Sequence, residues 1–180
     1  MISIFLPLRR YSLKQIETDL FKVFQTGELA CLEEKDSKMS HLISLRKALY
    51  SQEFRDMIAQ ITGCDDLTDR VDCSANAYVT GCHLLCHDDV IGTRRVSYII
   101  YLTDPEEDWV ESDGGALELY ELEKESIINR GTEHGGDQGV PVPAPMLSIL
   151  PKFNSMAIFA VQPGRSYHSV EVRTYSNIIM

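Results

Sequence analysis

A chain of 180 residues has ordinary single-domain size and enough length to bury a core without disulfides. Its 27 acidic against 17 basic residues give a formal net charge of -10. That balance argues against non-specific nucleic-acid binding, because phosphate contacts need clustered Lys and Arg.

Five cysteines, Cys31, Cys64, Cys73, Cys82 and Cys86, are an odd number at irregular spacings, which predicts free thiols in a reducing compartment, the cytosol or nucleus. The apolar start at residues 1–10 lacks a basic leading region and is broken by Pro7, so it does not read as a signal peptide. No run reaches the roughly 18 apolar residues of a membrane span, and no membrane partner is expected.

Along residues 12–25, Leu13, Ile16, Leu20, Phe21, Val23 and Phe24 fall mostly at steps of three and four, which predicts an amphipathic helix capped by Ser12. Residues 28–38 are charged and read as a loop. A second helix is expected from Ser40 or His41 to Ile61, with Gly63 as its stop. After Asp66 the texture becomes short strands, at 75–80, 84–90, 95–102, 116–122, 146–150, 155–161 and 166–172. The stretch 123–145, with four Gly and three Pro, reads as a long mobile loop. Helices followed by strands predict a mostly β, α+β chain: a curved sheet or double-sheet jelly roll with helices on one outer face.

Within this frame His87-x-Asp89 is the stretch that carries chemistry. On an extended strand the two side chains would share a face. A second imidazole would complete a two-His-one-carboxylate set, which leaves coordination positions open and suits Fe(II). His168, at the end of a later strand, is the natural candidate. A competing reading places zinc on Cys82, His83, Cys86 and His87, but on a strand the two cysteines face away from the two histidines.

Tyr78 followed nine positions later by His87-x-Asp89, then Gly92-Thr93-Arg94-Arg95-Val96-Ser97-Tyr98-Ile99-Ile100-Tyr101-Leu102, then Asp113-Gly114-Gly115-Ala116-Leu117-Glu118-Leu119-Tyr120, resembles the catalytic half of the Fe(II)- and 2-oxoglutarate-dependent prolyl hydroxylases that modify a decoding-centre protein of the small ribosomal subunit. Residues 41–49 and 154–168 resemble the same proteins, so the likeness runs from about Asp19 to Val170. It implies a double-stranded β-helix oxygenase core in which His87, Asp89 and His168 bind iron and Tyr78 hydrogen-bonds 2-oxoglutarate. Dioxygen is the implied second cosubstrate, and ascorbate is expected to sustain activity. The implied reaction is hydroxylation of a prolyl residue on a basic ribosomal protein, which affects translation; the acidic run 104–111 is a candidate for steering that partner.

Two departures accompany the resemblance. The family carries an arginine about a dozen residues beyond the distal histidine, whereas Arg173 is the only arginine after His168 here, and an odd separation of five would put it on the opposite face of a regular strand. The tail 174–180 does not resemble the family's closing strand, and the family's second, C-terminal domain is absent. The expectation is therefore one oxygenase domain over residues 1–180, truncated at both ends. Either it is active, or it is a metal-binding or protein-interaction remnant that does not hold 2-oxoglutarate. Its oligomeric state is left open.

Overall fold

The computed structural model describes residues 13–32, 40–124 and 139–174. The expected Ser12 cap, most of the 123–145 loop and the tail beyond Thr174 lie outside the described residues.

The first segment is a hairpin, β1 (Lys14–Glu17) and β2 (Phe21–Gln25), where the spacing predicts a helix. The reversal begins at Thr18, whose Oγ1 accepts from the N–H groups of Leu20 and Phe21, both at 3.2 Å. A local hydroxyl-to-backbone turn of this kind competes with helix formation. Phe21, Val23 and Phe24 are aromatic or β-branched and fit a pleated surface well. Val23 enters the core, with Phe21 and Phe24 packed beside it.

The second predicted helix is two helices, α1 (Ser40–Leu49) and α2 (Gln52–Thr62). The break is at Ser51, which is extended and caps α2 by accepting the Phe54 N–H at 3.2 Å. Such a cap is favourable enough to restart a helix. Gly63, in the left-handed region at φ 70°, ends α2 as expected.

The strands that follow are β3 (Asn76–Ala77), β4 (His83–His87), β5 (Val96–Tyr101), β6 (Leu117–Leu119), β7 (Leu147–Ile149), β8 (Ser155–Ala160) and β9 (His168–Val170). Each lies within a stretch that reads as a strand, except that β4 begins one residue before its expected start at Leu84. Among the described residues they form a seven-stranded antiparallel sheet ordered β1-β2-β4-β9-β6-β7, with β3 also on β2, facing a second sheet of β5 and β8.

Period-two alternation along β5 sorts its residues between two cores. Ile99 and Tyr101 pack between the sheets with Val23, Tyr78, Cys82, Leu84, Leu117 and Val170. Tyr98, Ile100 and Leu102 face α1 and α2 on the outside, against Leu42, Leu49 and Phe54. The Phe54 and Tyr98 rings meet edge-on at 5.3 Å. This is the mostly β, double-sheet architecture with helices on one face that the sequence predicts. No helix among the described residues is long and apolar enough to cross a membrane, and all five cysteines are free.

Candidate metal centre

β4 ends at His87 and β9 begins at His168, and the two residues are register partners across the antiparallel ladder. Leu84 pairs with Val170 on the same ladder, so three steps along β4 match two along β9. One extra residue is accommodated as a β-bulge, which breaks the alternation of the strand. Leu84 and His87 therefore both face the space between the sheets, although they are an odd number apart.

Asp89 lies beyond the strand. Its backbone is left-handed, φ 61°, a conformation that Asp tolerates better than most residues. The expectation that strand alternation aligns Asp89 with His87 is corrected in its cause: a turn brings the carboxylate back. The three side chains nonetheless converge, with one potential ligand atom from each of His87, Asp89 and His168 lying within 4.8 Å of the others. His87 Nε2 is 3.1 Å from Asp89 Oδ1, and His168 Nε2 is 3.7 Å from Oδ2. The imidazole centroids are 4.2 Å apart, and Phe159 closes over His168 at 4.6 Å.

Backbone carbonyls orient both rings. His87 Nδ1 lies 2.9 Å from the Leu85 carbonyl and His168 Nδ1 lies 2.9 Å from the Ser166 carbonyl. A neutral ring that donates through Nδ1 turns the bare lone pair of Nε2 inward. Both Nε2 atoms thus face the Asp89 carboxylate, where a cation between them would be met by two imidazole nitrogens and a carboxylate oxygen together. This is the outer hydrogen bonding that orients metal-binding histidines, and two imidazoles with one carboxylate are a donor set that fits Fe(II).

Electrostatics within the cluster favour the metal-ready protonation state. Burial alone would raise the Asp89 carboxyl, but its contact with His87 and the hydrogen bond from Ser97 outweigh it and hold the group well below the usual carboxylate range. Burial, together with the neighbouring His87, pushes His168 down, towards the neutral ring.

Tyr78 follows β3 and is buried in the inter-sheet core with Ile99, Leu117 and Val170. The zinc alternative does not assemble: Cys82 is fully buried in that core while Cys86 is exposed. Among the described residues, His87, Asp89 and His168 are the one group of three or more potential ligands. Arg173 does not face outward either. The regular strand stops at Val170, so alternation no longer governs it, and Arg173 is buried with its guanidinium 3.7 Å above the Trp109 ring.

Two further residues stand at the centre, with no motif in the sequence to mark them. Ser97 is buried on the inner face of β5 and donates to Asp89 Oδ2. Arg94 Nη1 stands 2.9 Å from Asp89 Oδ1. Their signal was a lone hydroxyl on the apolar face that Ile99 and Tyr101 share, and an arginine at the strand entry just after Gly92.

The comparisons with known proteins agree with this geometry. A family model described as the 2OG-Fe(II) oxygenase superfamily matches residues 73–177. The chain is similar to the prolyl 3,4-dihydroxylase OGFOD1 of Ostreococcus tauri, 51% identical over 158 residues, covering 86% of this chain and 28% of that protein. It is similar to the prolyl 3-hydroxylase OGFOD1 of Xenopus laevis, 36% identical over 152 residues, covering 84% and 25%. The prolyl 3-hydroxylase sudestada1 of Drosophila melanogaster is 31% identical over 169 residues, covering 92% and 27%. The chain thus spans about a quarter of the length of these relatives. A crystal structure of a Pseudomonas putida prolyl-4-hydroxylase aligns with a TM-score of 0.48 at 19% identity, covering 91% of this chain and 72% of that one. With the His-Asp-His cluster inside the matched span, and that span taking in more than half of the chain, the protein belongs to the 2OG-Fe(II) oxygenase superfamily.

Proposed function

We propose that this chain is the oxygenase domain of a prolyl hydroxylase that acts on a protein substrate, and that His87, Asp89 and His168 hold its Fe(II). The observation that carries the reading is the pair of Nε2 atoms turned onto the Asp89 carboxylate, in a chain 51% identical to a prolyl 3,4-dihydroxylase. Bound iron, with 2-oxoglutarate and dioxygen, supplies the oxidising chemistry at an unactivated C–H bond.

The chain's own residues do the rest. The carbonyls of Leu85 and Ser166 aim the imidazoles, the Ser97 hydroxyl fixes the carboxylate, and the apolar wall formed by Phe159 shields His168 from water. Tyr78 is proposed to donate its phenol to 2-oxoglutarate from the buried core. A basic ribosomal protein of the small subunit is the proposed substrate class, favoured by the net charge of -10. Ascorbate dependence and a cytosolic or nuclear location, in keeping with five free thiols, complete the proposal.

The test begins anaerobically. Fe(II) followed by 2-oxoglutarate should give the visible charge-transfer band of a chelated keto acid, and H87A or H168A should abolish it. Exposure to air with a proline-containing ribosomal-protein substrate should then yield succinate and a mass gain of one oxygen on proline. Metal binding without the band, or without turnover of 2-oxoglutarate, would favour the binding-only alternative.

A further inference from the structure

Asp89 is held from both sides, and one of its holders is a cation. The chain leaves β4, passes Asp89, and turns through residues 91–94, where Gly92 is left-handed at φ 58° and the Arg94 N–H donates to the Ile91 carbonyl at 3.1 Å. This tight return starts β5 with Arg94 folded back over the carboxylate. Its Nη1 is 2.9 Å from Oδ1, the same oxygen that His87 Nε2 faces at 3.1 Å. Its Nη2 reaches Asp72 Oδ2 at 3.5 Å, on the segment that leads into β3. The Arg94 side chain is 11% exposed and that of Asp89 is 4% exposed, so solvent screens their attraction little.

Nη1 is buried and has no acceptor aligned with its N–H bonds. The contact is therefore charge against charge rather than a directed hydrogen bond. Two neutral imidazoles, one carboxylate and one guanidinium sum to zero inside the centre, with the Asp72 carboxylate standing outside it in solvent, 76% exposed. A divalent cation entering this group meets a carboxylate whose charge is already offset, and it leaves the centre with a charge of about +2. A dianion arriving with the metal restores neutrality.

We infer that Arg94 offsets the charge of Asp89, so that a divalent cation is retained firmly only together with a dianionic chelator. The part of this inference that concerns the chelator rests on the function proposed above. The guanidinium suits the task because it stays charged at any working pH.

The experiment titrates the full chain with Mn(II), following free metal by electron paramagnetic resonance, with and without 2-oxoglutarate. R94Q is compared with R94K, which keeps the charge, and with R95Q, which removes a charge from an exposed neighbour paired to Asp66 at 3.2 Å. Circular dichroism establishes that each variant is folded. Removing the Arg94 charge should tighten Mn(II) alone roughly tenfold and shrink the enhancement by 2-oxoglutarate by a similar factor. R94K and R95Q should both remain near the parent protein.

Equal affinities for R94Q and R95Q would overturn the inference, as would weaker Mn(II) binding by R94Q. If 2-oxoglutarate gives no enhancement in the parent protein while R94Q still tightens Mn(II), the proposed 2-oxoglutarate function fails and the role of Arg94 at the carboxylate stands.

Discussion

His87 and His168 face one another directly across the β4–β9 ladder, their ring centroids 4.2 Å apart and their planes inclined by 51°. They belong to one pair of neighbouring strands, so their separation is set by strand spacing rather than by loops. H87A should accordingly lose divalent-cation binding to below detection by calorimetry, because a two-ligand remnant holds such ions poorly. Its thermal midpoint should stay within a few degrees of the parent, since His87 lies at the rim. A large fall in midpoint would mean that the imidazole is part of the core instead.

Ser97 donates to Asp89 from a buried position on β5. S97A leaves that oxygen without its hydroxyl partner, and a buried hydrogen bond to a charge contributes about 2 kcal/mol. Urea unfolding of the metal-free protein should register a loss of that size. Metal affinity should fall by about tenfold, as for other groups that orient metal ligands.

Gly114 is at φ 65°, and a Cβ there would lie 2.1 Å from the Val172 carbonyl oxygen. G114A must move backbone, at a cost of at least about 3 kcal/mol. Gly63 is also left-handed, but nothing lies within 4 Å of its would-be Cβ. G63A should cost only about 1 kcal/mol, the conformational penalty by itself. Denaturation of the two variants side by side separates close approach from backbone strain.

Acidification should weaken the metal-free protein. Asp89 is held below and His168 is pushed below their ordinary values, so the native state binds fewer protons than the unfolded chain. Stability then falls as pH drops below the unfolded histidine value of about 6.5, and falls further through the unfolded aspartate value of about 3.9. Bound divalent metal should flatten the upper part of this profile by occupying the imidazole lone pairs. Thermal melts between neutral and acid pH, with and without Mn(II), measure both effects.

The hairpin at the start of the described chain makes its own prediction. V23A should cost about 2 kcal/mol, because Val23 is buried between the sheets. K22A, on the opposite face, should stay within about 0.5 kcal/mol. Equal costs at the two positions would contradict the strand assignment of β2.

This hairpin also marks where the sequence misleads. Leu13, Ile16, Leu20 and Phe24 mimic helical spacing, and the Thr18 turn that separates two strands leaves no trace in hydrophobic periodicity. The later strands were legible because Gly, Pro, Asp and Asn punctuate short β-branched and aromatic runs. His87, Asp89 and His168 were legible as residue types, and their meeting follows from strand order. The reason that Asp89 meets His87 was not legible, since a left-handed Asp and a bulge are backbone events that no side-chain pattern announces. Arg94 was hidden for the same reason: only the turn at Gly92 folds it back onto the carboxylate.

The bulge between Leu84 and His87 has a consequence for how this protein can change over evolutionary time. Because it resets the parity of β4 within three residues, the leucine that anchors the core and the imidazole of the triad answer to separate halves of one strand. A single-residue deletion there would remove the bulge and leave a regular ladder, with Leu84 still seated and the imidazole of His87 still facing inward opposite His168. Descendants of such a chain would keep both their scaffold and their facing histidines, so the length of β4 is free to vary by that one residue without parting the two.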